Sequence, residues 1–115
     1  MKYAIPLDNS NGWNSIVGQH FGRVPYYAIW DDEDDSLDII NNESNHMGGA
    51  GMPMEYLATK CEVVLCKGVG ARAVKLGNQL GLQVYMGALD SLEATITSFK
   101  EGKLQLATKD DGCKH

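Results

Sequence analysis

Residues 62–86 read EVVLCKGVGARAVKLGNQLGLQVYM, and this stretch decides the fold class. It contains an apolar run, a glycine turn at 67–70, a helical pattern at 71–80 and, after the stop residue Gly81, a second apolar run. Strand, helix and strand in this order are typical of a βαβ unit, whose two strands run parallel and whose crossover is right-handed. The sequence therefore predicts an α/β protein.

The segments on either side of this unit predict three more strands and two more helices. Apolar alternation and capping residues indicate strands at 2–6, 26–30 and 37–40, a helix from Pro53 to about Lys60, and a helix from Ser91 to Gly102. We expect one domain over residues 1–106, with a five-stranded mixed sheet and three helices, followed by a polar, flexible tail at 107–115. Only the second strand is expected to run antiparallel to the others.

Four loops are expected at the end of the sheet where the parallel strands finish: 8–23, 42–52, 67–70 and 87–90. Proteins of the α/β class usually bind ligands at this end. The first two loops are long, and loops of about a dozen structureless residues in a small domain are more often functional than accidental. The carboxyl end of the sheet is therefore the predicted site.

Composition argues against several classes of protein. The chain has 115 residues, of which 43% are hydrophobic and 22% charged, as is typical of one globular domain. Its net charge of -5 and the acidic run at 31–35 argue against a nucleic-acid binder, which would need a basic face. No apolar run approaches the roughly 20 residues of a membrane helix. Pro6 and Asp8 interrupt the first apolar run too early for a signal peptide, so we expect a cytoplasmic protein without a membrane partner.

Three residues are candidate metal ligands. His20 and His46 lie in the two long loops, and neutral imidazole is a common ligand of first-row metals. Cys66 ends a strand just before the glycine turn, where a thiolate would contact iron, copper or molybdenum. The alternatives are that the two histidines hydrogen-bond the backbone and that Cys66 is a small core residue. Cys61 is expected to lie too far from Cys66 to share one ion.

The glycine turn is a candidate anion site. Gly68 and Gly70 precede a helix and Asp90 follows about twenty residues later, which formally matches the dinucleotide-binding fingerprint. Backbone N–H groups at the helix N-terminus would bind a pyrophosphate or a charged sulfide cluster equally well. Only one such βαβ unit is present, so a tight strand-to-helix turn is the third interpretation. Three basic residues flank these loops and would neutralise an anion: Arg23, Lys67 and Arg72.

Patterns typical of hydrolytic catalysis are missing from the sequence. We find no Ser-His-Asp order, no paired catalytic carboxylates and no HExxH segment. We therefore expect a binding protein rather than an enzyme.

Five segments, taken in their order and spacing, resemble a known family. They are Ile5-Pro6, His20-Phe21-Gly22-Arg23, Asn45-His46 with the glycines that follow, residues 66–73, which read CKGVGARA, and Gly81-Leu82-Gln83-Val84-Tyr85. Over residues 1–106 the chain resembles the dinitrogenase iron-molybdenum cofactor biosynthesis family.

The resemblance implies a ribonuclease H-like fold that lacks the acidic active site of that enzyme class. It also implies binding of the iron-molybdenum cofactor, of its iron-sulfur precursors, or of another molybdenum or copper sulfide cluster. The family includes nitrogenase cofactor carriers in which a histidine is implicated as a cluster ligand, and His46 is the position that matches it. The implied partners are cofactor-assembly or acceptor proteins.

Residues and resemblance together predict a protein that binds and carries, or helps to assemble, a preformed anionic metal-sulfur cluster. His46 and Cys66 are the predicted direct ligands, His20 is an auxiliary ligand, and Gly68 and Gly70 are backbone donors. Two alternatives stay open. One is a nucleotide- or phosphate-binding module that uses the Gly68-x-Gly70 turn, and the other is a metal-independent protein-interaction domain.

Overall fold

The computed structural model describes residues 1–43 and 53–107, in which helices cover both faces of a mixed sheet. A short 3-10 turn lies at Gly12–Asn14 in the loop after the first strand. The strands and helices in chain order are β1 (Lys2–Leu7), β2 (Tyr26–Asp31), β3 (Ser36–Asn41), α1 (Pro53–Ala58), β4 (Val63–Cys66), α2 (Ala71–Gln79), β5 (Gln83–Met86), α3 (Leu92–Lys100) and β6 (Gln105–Ala107).

The strand order in the sheet is β3-β2-β1-β4-β5-β6. β1, β4 and β5 are parallel neighbours, whereas β2 is antiparallel to both β1 and β3. The predicted βαβ unit is confirmed as β4-α2-β5, and so are the predicted directions of the first five strands. None of the helices in the described part of the chain is both long enough and apolar enough to cross a membrane.

The prediction of five strands was wrong, because β6 pairs antiparallel with β5 as a sixth. β6 has only three residues, and of these only Ala107 is buried. Three residues are too few to show the alternation by which a strand is recognised in a sequence. Its backbone pairing with β5 defines it instead.

The sheet separates two hydrophobic cores. Met54, Leu57 and Val74 of α1 and α2 pack on one face and form what we call the α1/α2 core. Leu92 and Ile96 of α3 pack on the other face and form the α3 core. Successive side chains of a strand point to opposite faces, so the buried residues of β1 contribute to both cores: Ala4 to the first, and Tyr3, Ile5 and Leu7 to the second.

Capping residues determine where the helices begin and end. The hydroxyl of Ser91 accepts a hydrogen bond from the Ala94 N–H, as predicted for the N-cap of α3. Gly81 follows α2 with a φ of 87°, and Gly102 follows α3 with a φ of 75°. Both glycines adopt the left-handed conformation that favours glycine after a helix, so both predicted stops are confirmed.

Candidate functional site

The carboxyl ends of β1, β4 and β5 lie at one edge of the sheet, and each is followed by a loop. These loops cover residues 8–25, 67–70 and 87–91. The remaining predicted loop, 42–52, begins at Asn42. Its residues 44–52, which include His46, lie outside the described part of the chain. Ligands of α/β proteins usually bind at this edge, which we call the carboxyl edge.

Backbone hydrogen bonds join the first loop to the loop that precedes α3. The Val17 N–H donates to the Asp90 carbonyl at 2.8 Å, and the Leu92 N–H donates to the Ser15 carbonyl at 2.9 Å. The Gly18 N–H also donates to the Pro6 carbonyl of β1 at 2.9 Å. The first loop is therefore held against the sheet and against the start of α3 at the same time.

The segment His20-Phe21-Gly22-Arg23 is fixed through its aromatic residue. The Phe21 ring is buried in the α1/α2 core, and its carbonyl accepts a 2.8 Å hydrogen bond from the Tyr27 hydroxyl. Burial raises the pKa of Tyr27, so this hydroxyl keeps its proton and remains a donor. The side chains of His20 and Arg23 are exposed on either side of this buried residue.

Asn42 connects the end of β3 to the same segment. Its side-chain amide donates to the Val24 carbonyl at 2.8 Å and to the Gly22 carbonyl at 3.3 Å. The described residues that follow β3 therefore lie next to the segment that carries the exposed residues His20 and Arg23. Whether His46 binds a metal stays a prediction.

Cys66 lies inside the α1/α2 core. Its side chain is completely buried, and Sγ donates to the Tyr85 carbonyl at 3.6 Å. In this arrangement the sulfur faces the core, so ligation of a cluster stays a prediction that requires the side chain to rotate outwards. Cys61 precedes the opposite end of β4, and burial raises the pKa of its thiol to about 12.

The glycine turn between β4 and α2 is held by Val69, which is buried in the α1/α2 core. Gly70 is the N-cap of α2, with a φ of -69° and a ψ of 155°, which any residue can adopt. A Cβ atom on Gly70 would have no heavy atom within 4 Å. The requirement for a tight turn therefore does not explain this glycine, and the N-terminus of α2 opens to solvent beside the exposed side chain of Arg72.

An ion pair links the glycine turn to the loop after β5. Lys67 Nζ lies 2.8 Å from Asp90 Oδ1, and hydrogen bonding to this ammonium lowers the pKa of the Asp90 carboxyl. The side chain of Lys67 is only 20% exposed, whereas that of Asp90 is 97% exposed. Asp90 is the residue that the dinucleotide fingerprint would assign to a ribose, and here Lys67 engages it. The prediction that the loops 67–70 and 87–90 follow parallel strands brought both to this edge, but it did not predict that Lys67 and Asp90 form an ion pair.

Basic side chains and a helix N-terminus lie at the carboxyl edge. Nowhere within residues 1–43 and 53–107 do three or more His, Cys, Asp or Glu side chains come together as a metal site. The loops of the carboxyl edge instead carry Lys67, Arg23 and Arg72, together with the N-terminus of α2. Cations and helix N-terminal N–H groups both stabilise anions.

Comparison with known proteins finds a family that covers most of the chain. The family described as "Dinitrogenase iron-molybdenum cofactor" matches residues 1–102. An uncharacterized protein of Methanocaldococcus jannaschii is 32% identical over 111 residues, which cover 91% of this chain and 90% of that relative.

Two solved structures are similar over almost the whole chain. The NMR structure of a putative NifB protein from Thermotoga is 25% identical, with a TM-score of 0.74, and covers 91% of both chains. The apo form of the orange protein from Desulfovibrio gigas is 19% identical, with a TM-score of 0.79, and covers 92% of both chains. At that identity the second likeness shows the fold alone.

Proposed function

The chain belongs to the dinitrogenase iron-molybdenum cofactor family, and on that basis we propose that it binds and carries an anionic metal-sulfur cluster at the carboxyl edge. The observation that carries this proposal is the way three loops are joined there. Backbone hydrogen bonds connect the first loop to the loop before α3, and the Lys67–Asp90 pair connects that loop to the glycine turn. The loops around a ligand at the N-terminus of α2 would therefore already be held in place before the ligand binds.

The charges at this edge support an anionic cargo. Metal-sulfur clusters carry negative charge, and the edge offers the guanidinium groups of Arg23 and Arg72 and the first N–H groups of α2, whereas the ammonium of Lys67 already contacts Asp90. The imidazoles of His20 and His46 would supply direct ligands to iron, copper or molybdenum. We propose that Cys66 becomes a ligand only after its side chain has left the core.

We propose a carrier rather than an enzyme. The groups at the carboxyl edge are those that hold an anion, and an exposed edge also allows a cluster to pass to another protein. Its partners would be cofactor-assembly proteins and acceptor proteins. A ribonuclease H-like classification is supported by the strand order β3-β2-β1-β4-β5, in which β2 alone runs antiparallel to the others. The fold by itself does not determine the function.

A matched pair of substitutions at Gly70 tests the proposal. Asp is a preferred N-cap residue and the position has open space, so Gly70→Asp should fold normally while placing a carboxylate where the cluster would bind. Gly70→Ser supplies a similar cap without charge. Each variant and the unchanged protein would be reconstituted without air with iron, sulfide and molybdate, and bound metal, sulfide and visible absorption would be measured.

We expect the unchanged protein and Gly70→Ser to take up the cluster. Gly70→Asp should bind it about tenfold more weakly or worse, which corresponds to a loss of about 1.4 kcal/mol. His46→Ala should lose the absorption that arises from direct ligation. An apoprotein that takes up no metal, or equal uptake by the Asp and Ser variants, would contradict the proposal.

The N-terminus of α2 keeps phosphate binding as a second candidate, because the same N–H groups bind phosphate. The Lys67–Asp90 pair disfavours a dinucleotide, since it occupies the carboxylate that a ribose would need. Thermal melting with ATP and with inorganic phosphate separates the two candidates. Stabilisation by ATP together with indifference to metals would select the phosphate-binding function.

A further inference from the structure

β3 is an edge strand with one regular partner. Ser36–Asn41 pairs with β2 through all six residues in an unbroken antiparallel register. On its other side no strand pairs with β3 among residues 1–43 and 53–107. An edge of this kind presents a row of backbone N–H and C=O groups. An extended peptide can hydrogen-bond to them and so add a further strand to the sheet.

The side chains of β3 leave apolar surface that an added strand would cover. Leu37 and Ile39 pack only partly against the α3 core, and Ile40 packs only partly against the α1/α2 core. Edge strands are commonly protected by charged side chains, proline or a bulge; β3 has neither a proline nor a bulge, and Asp38 is its one charged residue. The opposite edge strand, β6, is by contrast only three residues long.

The neighbourhood of this edge is strongly acidic. Acidic residues occupy positions 31–35, 38 and 43, and the sequence contains no Lys or Arg from 24 to 59. The terminal ammonium of Met1 bonds Asp32 and Glu33 at the hairpin tip, and Lys100 lies 3.9 Å from Asp35. Negative charge remains along the strand itself, where Asp38 is exposed at the middle and Glu43 is exposed beyond the end.

This charge pattern selects the occupant. Pairing of two copies through β3 would bring acidic edges together, and like charges opposite one another destabilise a strand pair. A strand that carries Lys or Arg would instead place opposite charges next to Asp38. We propose that the β3 edge binds an extended, basic segment of a partner protein by strand addition.

A synthetic peptide serves as the probe. A fluorescein-labelled peptide of alternating Lys and Val would be titrated with the full chain and followed by anisotropy, and the contacted amides would be located by NMR. We expect binding that weakens as salt is raised, with shifts at Ser36–Asn41. N-methylation of alternate residues keeps the charge but removes backbone donors, so it should weaken binding more than about tenfold. A Glu–Val peptide should not bind.

Two protein variants that change net charge equally test the location. Asp38→Asn should weaken the Lys–Val peptide about two- to fivefold, as expected for one cross-strand ion pair. Gln83→Lys makes the same change in net charge on an exposed position of β5, with β4, β1 and β2 in between, and should have a smaller effect.

Four outcomes would overturn the proposal. Absence of binding or of shifts in β3 excludes this edge as the binding surface. Equal binding of the N-methylated peptide shows charge attraction without strand pairing, and equal effects of Asp38→Asn and Gln83→Lys show attraction to the whole molecule. Sedimentation that reveals a dimer from which the peptide is excluded would assign the edge to a second copy.

Discussion

Gly18 packs tightly against the residues around the first loop. A Cβ atom there would overlap Cγ1 of Val24 and lie 3.0 Å from Oδ1 of Asp8. Val24 is buried and β-branched, so it cannot move aside easily. A glycine is therefore required at this position for space and not for its backbone conformation.

We predict that Gly18→Ala destabilises the protein by about 1–3 kcal/mol, the usual cost of overpacking. Urea unfolding would measure the change. Gly70→Ala is the matched control, because its added methyl group meets no atom within 4 Å and its φ is ordinary, and it should unfold close to the unchanged protein. Equal midpoints for the two variants would show that the first loop moves aside without cost.

Asp90 gives the carboxyl edge a pH dependence. Lys67 lowers the pKa of Asp90 in the folded state, so the folded protein binds this proton less readily than the unfolded chain does. The stabilisation is complete above the unfolded pKa of about 3.9 and is lost as the pH falls through the lower folded value. It should be small and sensitive to salt, because Asp90 is almost fully exposed.

We predict that the pKa of Asp90 rises towards its ordinary value in Lys67→Gln. NMR titration of the carboxyl carbon in both proteins would measure it. Lys75→Gln removes the same charge from an exposed position of α2 and should leave the titration of Asp90 almost unchanged. A similar shift in both variants would mean that general charge, and not the 2.8 Å contact, lowers this pKa.

At the scale of the elements, α3 and the loop before it stabilise each other. Besides the cap from Ser91 to Ala94, the buried hydroxyl of Thr95 donates to the Ser91 carbonyl at 2.9 Å and accepts from the Leu89 N–H at 3.0 Å. The loop therefore uses one side chain of α3, that of Thr95, to satisfy two of its own backbone groups. This is the same loop that carries Asp90.

We predict that Ser91→Ala lowers the free energy of unfolding by about 1 kcal/mol, the usual cost of losing an N-cap. Ser91→Thr keeps a hydroxyl and should lose less. Urea unfolding of both variants would measure these costs. If the Ala and Thr variants were equally stable, the hydrogen bond to Ala94 would not contribute to the stability of α3.

Elements with a strong local pattern could be predicted from the sequence. The β4-α2-β5 unit has apolar runs of strand length, an amphipathic helix and a terminating glycine, and each of these signals is local. β6 could not be predicted, because its three residues form a strand only through β5. The conformation of the first loop could not be predicted from the sequence either. It depends on long-range backbone hydrogen bonds, such as that from Val17 to Asp90, which leave no periodic pattern in the sequence.

At the scale of the whole molecule, the position of the candidate site was inferred from the topology of the sheet. Predicting that β1, β4 and β5 are parallel was enough to bring their loops to one edge. The contacts within that edge could not be derived in this way, because the pairing of Lys67 with Asp90 depends on side-chain reach. The burial of Cys66 was one of two open interpretations. A cysteine at the end of a strand can be either a metal ligand or a small core residue, and the sequence does not distinguish the two.

β1, like β2 and β4, contributes side chains to both cores. It is bonded to β2 on one side and to β4 on the other, and its side chains enter both cores. Neither core can come apart without exposing one face of β1, so the two cores should unfold as a single cooperative unit. Its amide protons should therefore exchange with solvent only through global unfolding, whereas those of β6 exchange through local fraying.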